Sequence, residues 1–315
     1  MNLKNCLEKR PVLSFWLLAI ILAVLVIPYG FLVFTHFPNF GSDIDAVTEG
    51  KGYNTNILYS IPIALKVHGG IWYALILLLW PATASISALI ISYILKKKQG
   101  LKELFSRFRF WSSKISLRKG VSIWLQAILL AVGINLVYSF LRNYVSDVET
   151  SNLLKIHPVY SGWEMIFLFI TSLFFDGGGL MEEIGWRGFA LPRLQKKWSP
   201  LKASIILGTI WSLWHIPVKL NFTPFLDFIT FYFVFTLMCI LYSIVITYFY
   251  NRLGGSILIG IAFHGLMNDS TDFKTIFNAD TLEINNFTDT ALLCVIFVAV
   301  VFFILLKEGE KLGKG

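Results

Sequence analysis

The sequence predicts an all-α polytopic membrane helix bundle of about eight transmembrane helices, with the N- and C-termini both cytoplasmic. Three observations carry this reading. The 315 residues are 56% hydrophobic and only 15% charged, with a mean hydropathy of +0.68. Soluble domains carry about 25% charged residues, so too few remain here to clothe a water-facing surface. The apolar residues gather in eight runs, about 12–34, 71–95, 121–141, 163–191, 203–219, 227–250, 254–268 and 289–306. The lysines and arginines are sorted by loop. With the N-terminus placed in the cytoplasm, 21 of the 27 fall on the cytoplasmic side and six on the other, a bias that sets orientation in membranes.

The first run is longer than a signal-peptide core of roughly 7–15 residues, and no small-x-small cleavage pattern follows it, so it is expected to stay as a helix. Spans of roughly 17–25 residues cross a bilayer, and the second, third, fifth, sixth and eighth runs fit that length. The fourth is longer and is interrupted by Gly177-Gly178-Gly179, which invites a kink or a close backbone approach. The seventh is short and depends on neighbouring helices for burial. No long hydrophilic segment, linker or internal repeat remains, so residues 1–315 read as one integral membrane domain. The net charge of +8 follows the loops and comes with no nucleic-acid motif. Cys6, Cys239 and Cys294 are odd in number and scattered, which gives neither a disulfide framework nor a thiolate zinc site.

Against this apolar background stand three groups of ionisable or amide side chains. An ionisable group at bilayer depth costs a few kcal/mol even on the lenient insertion scale (about 2.5–3.5), so such residues face a protein interior and carry function. In Glu182-Glu183-Ile184-Gly185-Trp186-Arg187, the i,i+4 spacing puts Glu183 and Arg187 on one helix face. Glu182 is turned about 100° away, so one acid can pair with Arg187 while the other faces a cavity as a general base. The plain alternative is a helix end whose charges are solvated, since Arg193, Lys196 and Lys197 follow. In Trp211-Ser212-Leu213-Trp214-His215-Ile216-Pro217, the proline frees the carbonyl of Leu213 and weakens the turn that holds His215. A hydrogen-bonded core histidine is the alternative. In His264-Gly265-Leu266-Met267-Asn268, the same i,i+4 spacing aligns two donors that suit an oxyanion, or else polar glue between helices. At 1.5 Å per residue, Glu182, His215 and His264 lie ~16, ~20 and ~18 Å in from the cytoplasmic boundary. Three groups remote in sequence share one level.

No metal is favoured. Zinc remains an alternative, with His215, His264 and Glu182 as ligands and water at the open position. The zinc-protease signature H-E-x-x-H is absent, as are G-x-S-x-G and a P-loop lysine motif. An aspartyl intramembrane protease needs paired aspartates, which Asp176 alone does not supply.

At these residues the chain resembles the CAAX-protease and bacteriocin-processing (CPBP, or Abi) intramembrane endopeptidases. That family's pattern is E-E-x-x-x-R, an aromatic-x-x-x-H, then H-x-x-x-N. Glu182, Glu183 and Arg187 match the first part, and Gly188-Phe189-Ala190-Leu191-Pro192-Arg193-Leu194-Gln195 is a typical continuation. Trp211 and His215 match the second, with Trp where Phe is usual; His264 and Asn268 match the third. The resemblance covers residues 163–268. It implies that Glu182 and His215 activate water to attack a peptide carbonyl, that His264 and Asn268 stabilise the oxyanion, and that Glu183 and Arg187 hold the site together. It also implies a membrane-associated protein or peptide substrate, in CAAX-type processing or in bacteriocin maturation and self-immunity. A compact chain without targeting extensions looks like the bacterial kind, in the plasma membrane. The alternatives are a non-catalytic immunity or scaffold protein that retains the pocket, and a transporter using the buried acids; the latter lacks the paired interrupted helices of inverted repeats.

Overall fold

The computed structural model describes residues 7–146, 152–156, 160–219, 225–268, 276–277 and 286–314; Lys4, Cys6 and Lys274 lie outside them. The described residues are helical throughout, apart from connecting loops and one isolated bridge between Asn56 and Asp176. The helices are α1 (Pro11–His36), α2 (Phe40–Thr48), α3 (Ile57–Ala64), α4 (Gly70–Phe105), α5 (Leu117–Val145), α6 (Gly162–Phe175) and α7 (Gly177–Glu183). A π-helical turn, Ile184–Ala190, leads into the one-turn α8 (Leu191–Leu194). Then follow α9 (Pro200–Trp214), α10 (Ile216–Lys219), α11 (Phe225–Arg252), α12 (Ile257–Met267) and α13 (Asn286–Glu308).

Among the described residues, six helices are long and apolar enough to cross a membrane, in the regions of α1, α4, α5, α9 with α10, α11 and α13; α6 and α12 are shorter apolar helices. Large apolar side chains such as Leu25, Phe31, Leu129, Phe233, Phe303 and Leu306 lie exposed. A water-soluble surface does not sustain such a belt, whereas lipid does. The chain is an integral membrane protein. Where helices meet, small residues replace large ones: Ala19, Ala23, Ala84, Ala88, Ala127 and Ala131 are all buried. With no hydrophobic drive between helices in lipid, close backbone approach and dispersion hold the bundle.

Four of the expected spans differ in detail. The second run, as α4, continues ten residues past 95, to Phe105, and bends at Lys97, whose φ is 53°. The fourth run is broken into α6, α7, the π-helical turn and α8. Its interruption falls at Asp176, which is extended (φ −71°, ψ 134°) and caps α7 by accepting from the Gly179 N–H at 2.7 Å. The fifth run stops at Trp214, with His215 capping α9 just before Pro217. The seventh is only eleven residues long, as α12, and nearly all of it is buried because α5, α6, α7 and α11 surround it.

The pairing of α9 with α11 depends on one glycine. A Cβ on Gly208 would lie 2.5 Å from Cα of Ile240 and 2.7 Å from the Cys239 carbonyl oxygen, both backbone atoms that cannot rotate away. Gly208→Val is expected to destabilise the protein by about 1–3 kcal/mol, read as a lowered unfolding midpoint in detergent. An unchanged midpoint would mean that the two helices do not pack this closely.

Candidate active site

Glu182 and Glu183 close α7, and the π-helical turn follows at once. A π turn accommodates an extra residue and often marks a functional site. Here it carries Trp186 and Arg187 into the interior. Glu183 is fully buried, and its Oε1 accepts from Arg187 Nη1 at 2.6 Å and from His264 Nδ1 at 2.9 Å. The guanidinium of Arg187, also fully buried, lies 4.8 Å from the ring centroid of Trp211. Glu182, 6% exposed, faces the other way. Its Oε2 accepts from the indole N–H of Trp211 at 2.8 Å and of Trp186 at 3.3 Å. The two adjacent acids thus have separate surroundings: one holds cations, the other meets neutral donors.

Trp211 links the clusters. Its indole N–H reaches Glu182, and its ring stands edge-on to His264 at 5.3 Å. Its backbone carbonyl accepts from His215 Nδ1 at 3.0 Å. A carbonyl only accepts, so the hydrogen is on Nδ1 and the neutral imidazole keeps its lone pair at Nε2. The His215 ring is wedged between Trp214 at 4.8 Å and Phe235 at 5.2 Å.

His264 sits near the end of α12, but Asn268 lies just past it with extended backbone (ψ 178°), rather than on a shared helix face. Both side chains nevertheless approach Gly178. A Cβ there would be 2.8 Å from Asn268 Nδ2 and 3.3 Å from His264 Nε2. The glycine run lets α7 approach α12 closely, since a Cβ on Gly179 would lie 2.7 Å from the Ile261 carbonyl oxygen. The structure therefore brings together Glu182, Glu183, Arg187, Trp211, His215, His264 and Asn268, every residue that the three motifs singled out.

Sequence reasoning missed Asp176 and Thr55. Asp176 is fully buried, and its Oδ1 accepts from Asn268 Nδ2 at 2.8 Å as well as from Gly179, while its Oδ2 accepts from Thr55 Oγ1 at 2.5 Å. The Thr55 carbonyl takes the Gly177 N–H at 2.8 Å. Irregular backbone at membrane depth persists only where protein satisfies it, and the 54–56 segment does so here. An Asp directly before Gly-Gly-Gly is a helix-start signature that could have located the break. No local signal points to Thr55.

The zinc alternative does not fit this arrangement. Among the described residues, no three His, Cys, Asp or Glu side chains group so as to hold a metal ion.

Residues 161–269 match the family described as type II CAAX prenyl endopeptidase Rce1-like. A curated relative, CAAX prenyl protease 2 of Methanococcus maripaludis, is 34% identical over 137 residues, covering 42% of this chain and 49% of that protein. The chain thus spans about half the length of the curated relative it matches. The matched segment contains all seven motif residues and Asp176. Through residues 161–269, the chain is similar to the Rce1-like CAAX prenyl endopeptidases.

Proposed function

We propose that this chain is an intramembrane endopeptidase of the CAAX prenyl type, cleaving a peptide bond in a membrane-associated, prenylated protein or peptide. The observation that supports it best is the divided surroundings of Glu182 and Glu183. Glu183 is spent on Arg187 and His264. Glu182 is held only by indole N–H groups on Oε2, so it remains free to take a proton. A water between Glu182 and the Nε2 lone pair of His215 loses a proton to one of them as its oxygen attacks the scissile carbonyl. The resulting oxyanion meets Asn268 Nδ2 and His264 Nε2, the latter as a donor when the ring is doubly protonated. The tetrahedral species then collapses, and the abstracted proton passes to the departing amine. Asp176 acts as a positioning residue, holding the Asn268 amide. Residues 163–268 form the catalytic core within one membrane domain. A non-catalytic immunity or scaffold protein with the same pocket would be recognised by its failure to cleave.

The two acids are expected to respond differently to substitution. Glu182→Gln should lower cleavage of a membrane-proximal, prenylated peptide by at least about 10²-fold, the scale of general base catalysis, with the unfolding midpoint retained. Glu183→Ala or Arg187→Ala should also cost about 3–5 kcal/mol of stability, because each strands a buried charge. Wild-type rates from folded Glu182→Gln protein would remove that residue as the base.

We further propose eight crossings with both termini in the cytoplasm. Cysteines placed at Lys98 and Lys314 should then label from the cytoplasmic side, and one at Glu49 from the opposite side. Termini on opposite sides would overturn this topology. Activity is also expected to survive exhaustive chelation. One zinc per chain, with activity lost on its removal and regained on its return, would refute the metal-free mechanism.

A further inference from the structure

A cavity of about 450 Å³ opens between the start of α1, the end of α4 and the segment that joins the π-helical turn to α8. It holds none of the seven motif residues. Its lining carries five lysines and arginines against Glu8 and Glu103. Lys96 is engaged by Glu103 at 2.8 Å. Arg193 gives one N–H to the Phe189 carbonyl at 2.9 Å and Arg107 gives one to the Tyr250 hydroxyl at 3.2 Å, which leaves each guanidinium further donors. Lys196 and Lys197 are exposed and have no acidic partner among the described residues.

The second observation is Ser92. It lines the cavity at 1% exposure, and its Oγ has no hydrogen-bond partner among the described residues. A buried serine within a helix ordinarily bonds the carbonyl four residues back, as Ser204 does here with Pro200. A hydroxyl left unpaired in the wall of a cavity that also carries guanidinium and ammonium donors is a place for a group rich in acceptor oxygens.

We propose that this cavity binds a phosphate group, supplied in the membrane by the headgroup of an anionic phospholipid. Forked arginine donors, lysine charges and a hydroxyl suit a phosphate's several oxygens. The remaining wall includes apolar Pro11, Leu95 and Leu104. Beyond it, Leu13 and Leu17 on α1 and Ile90 and Tyr93 on α4 are exposed, and they give acyl chains a path along the same two helices. The assignment is independent of the proposed peptidase chemistry.

The test uses the full chain purified in neutral detergent. Phosphatidylglycerol and phosphatidylcholine binding are compared by native mass spectrometry and by the shift in unfolding midpoint, with inorganic phosphate as a competitor. Wild type is expected to bind phosphatidylglycerol at least tenfold more tightly than phosphatidylcholine. Lys196→Gln with Lys197→Gln, both exposed, should reduce that preference severalfold, and Ser92→Ala should reduce it as well. Lys98→Gln with Lys102→Gln removes the same charge nearby but outside the cavity and should leave the preference intact. Competition by millimolar phosphate would identify the free ion as a second source for the same site. Equal binding of the two lipids, or equal loss in both lysine pairs, would overturn the assignment.

Discussion

Glu183 is a carboxylate sealed from solvent, and the bundle is arranged around neutralising it. Arg187 arrives from one turn along the chain, at 2.6 Å, and His264 from α12, at 2.9 Å. Arg187 in turn lies over Trp211, so the charge cluster ties together α7, the π-helical turn, α9 and α12. Taking charges out of water is expensive, and only close pairing with good geometry offsets it. The backbone yields to that requirement. A Cβ on Gly260 would stand 2.7 Å from Glu183 Oε2, so α12 can approach the acid only where no side chain intervenes.

Trp211 shows how such a cluster becomes a site. Through its indole N–H, its ring and its carbonyl, one residue touches Glu182, Arg187, His264 and His215. The carbonyl also fixes which nitrogen of His215 carries its hydrogen. Phenylalanine at this position would keep the ring contacts and lose the hydrogen bond to Glu182. Trp186 also donates to the same oxygen, so the acid's environment is shared between two indoles on different segments.

Much of this was legible in the sequence because it is local. The Glu183–Arg187 pair follows from i,i+4 spacing and a close backbone approach from the glycine run, whereas Pro217 marks a weakened turn at His215 within a run that reads as continuing to residue 219. What could not be read depends on contacts remote in sequence. Asn268 lies beyond the end of α12 and is held by Asp176, 92 residues earlier. The break at Asp176 is stable because Thr55 and Asn56 supply partners from another part of the chain; Asn56 Nδ2 donates to Thr171 Oγ1 at 2.7 Å. The short helices α2 and α3, which flank that polar segment, fall in a stretch that the apolar runs skipped.

The spacing of Glu183's two partners also bears on how the protein is made. His264 is synthesised 81 residues after Glu183. At about 5–20 residues per second, the acid waits roughly 4–16 s for its histidine. Arg187 follows only four residues behind and closes the ion pair within a single turn. The Glu183 charge can therefore be paired as soon as its own turn forms, before the rest of the bundle exists to receive it. Glu182 has no cationic escort: Trp186 follows four residues behind, and its closer indole partner, Trp211, emerges 29 residues later. An ion pair that reads as architecture in the finished protein also serves as a temporary passport during its insertion.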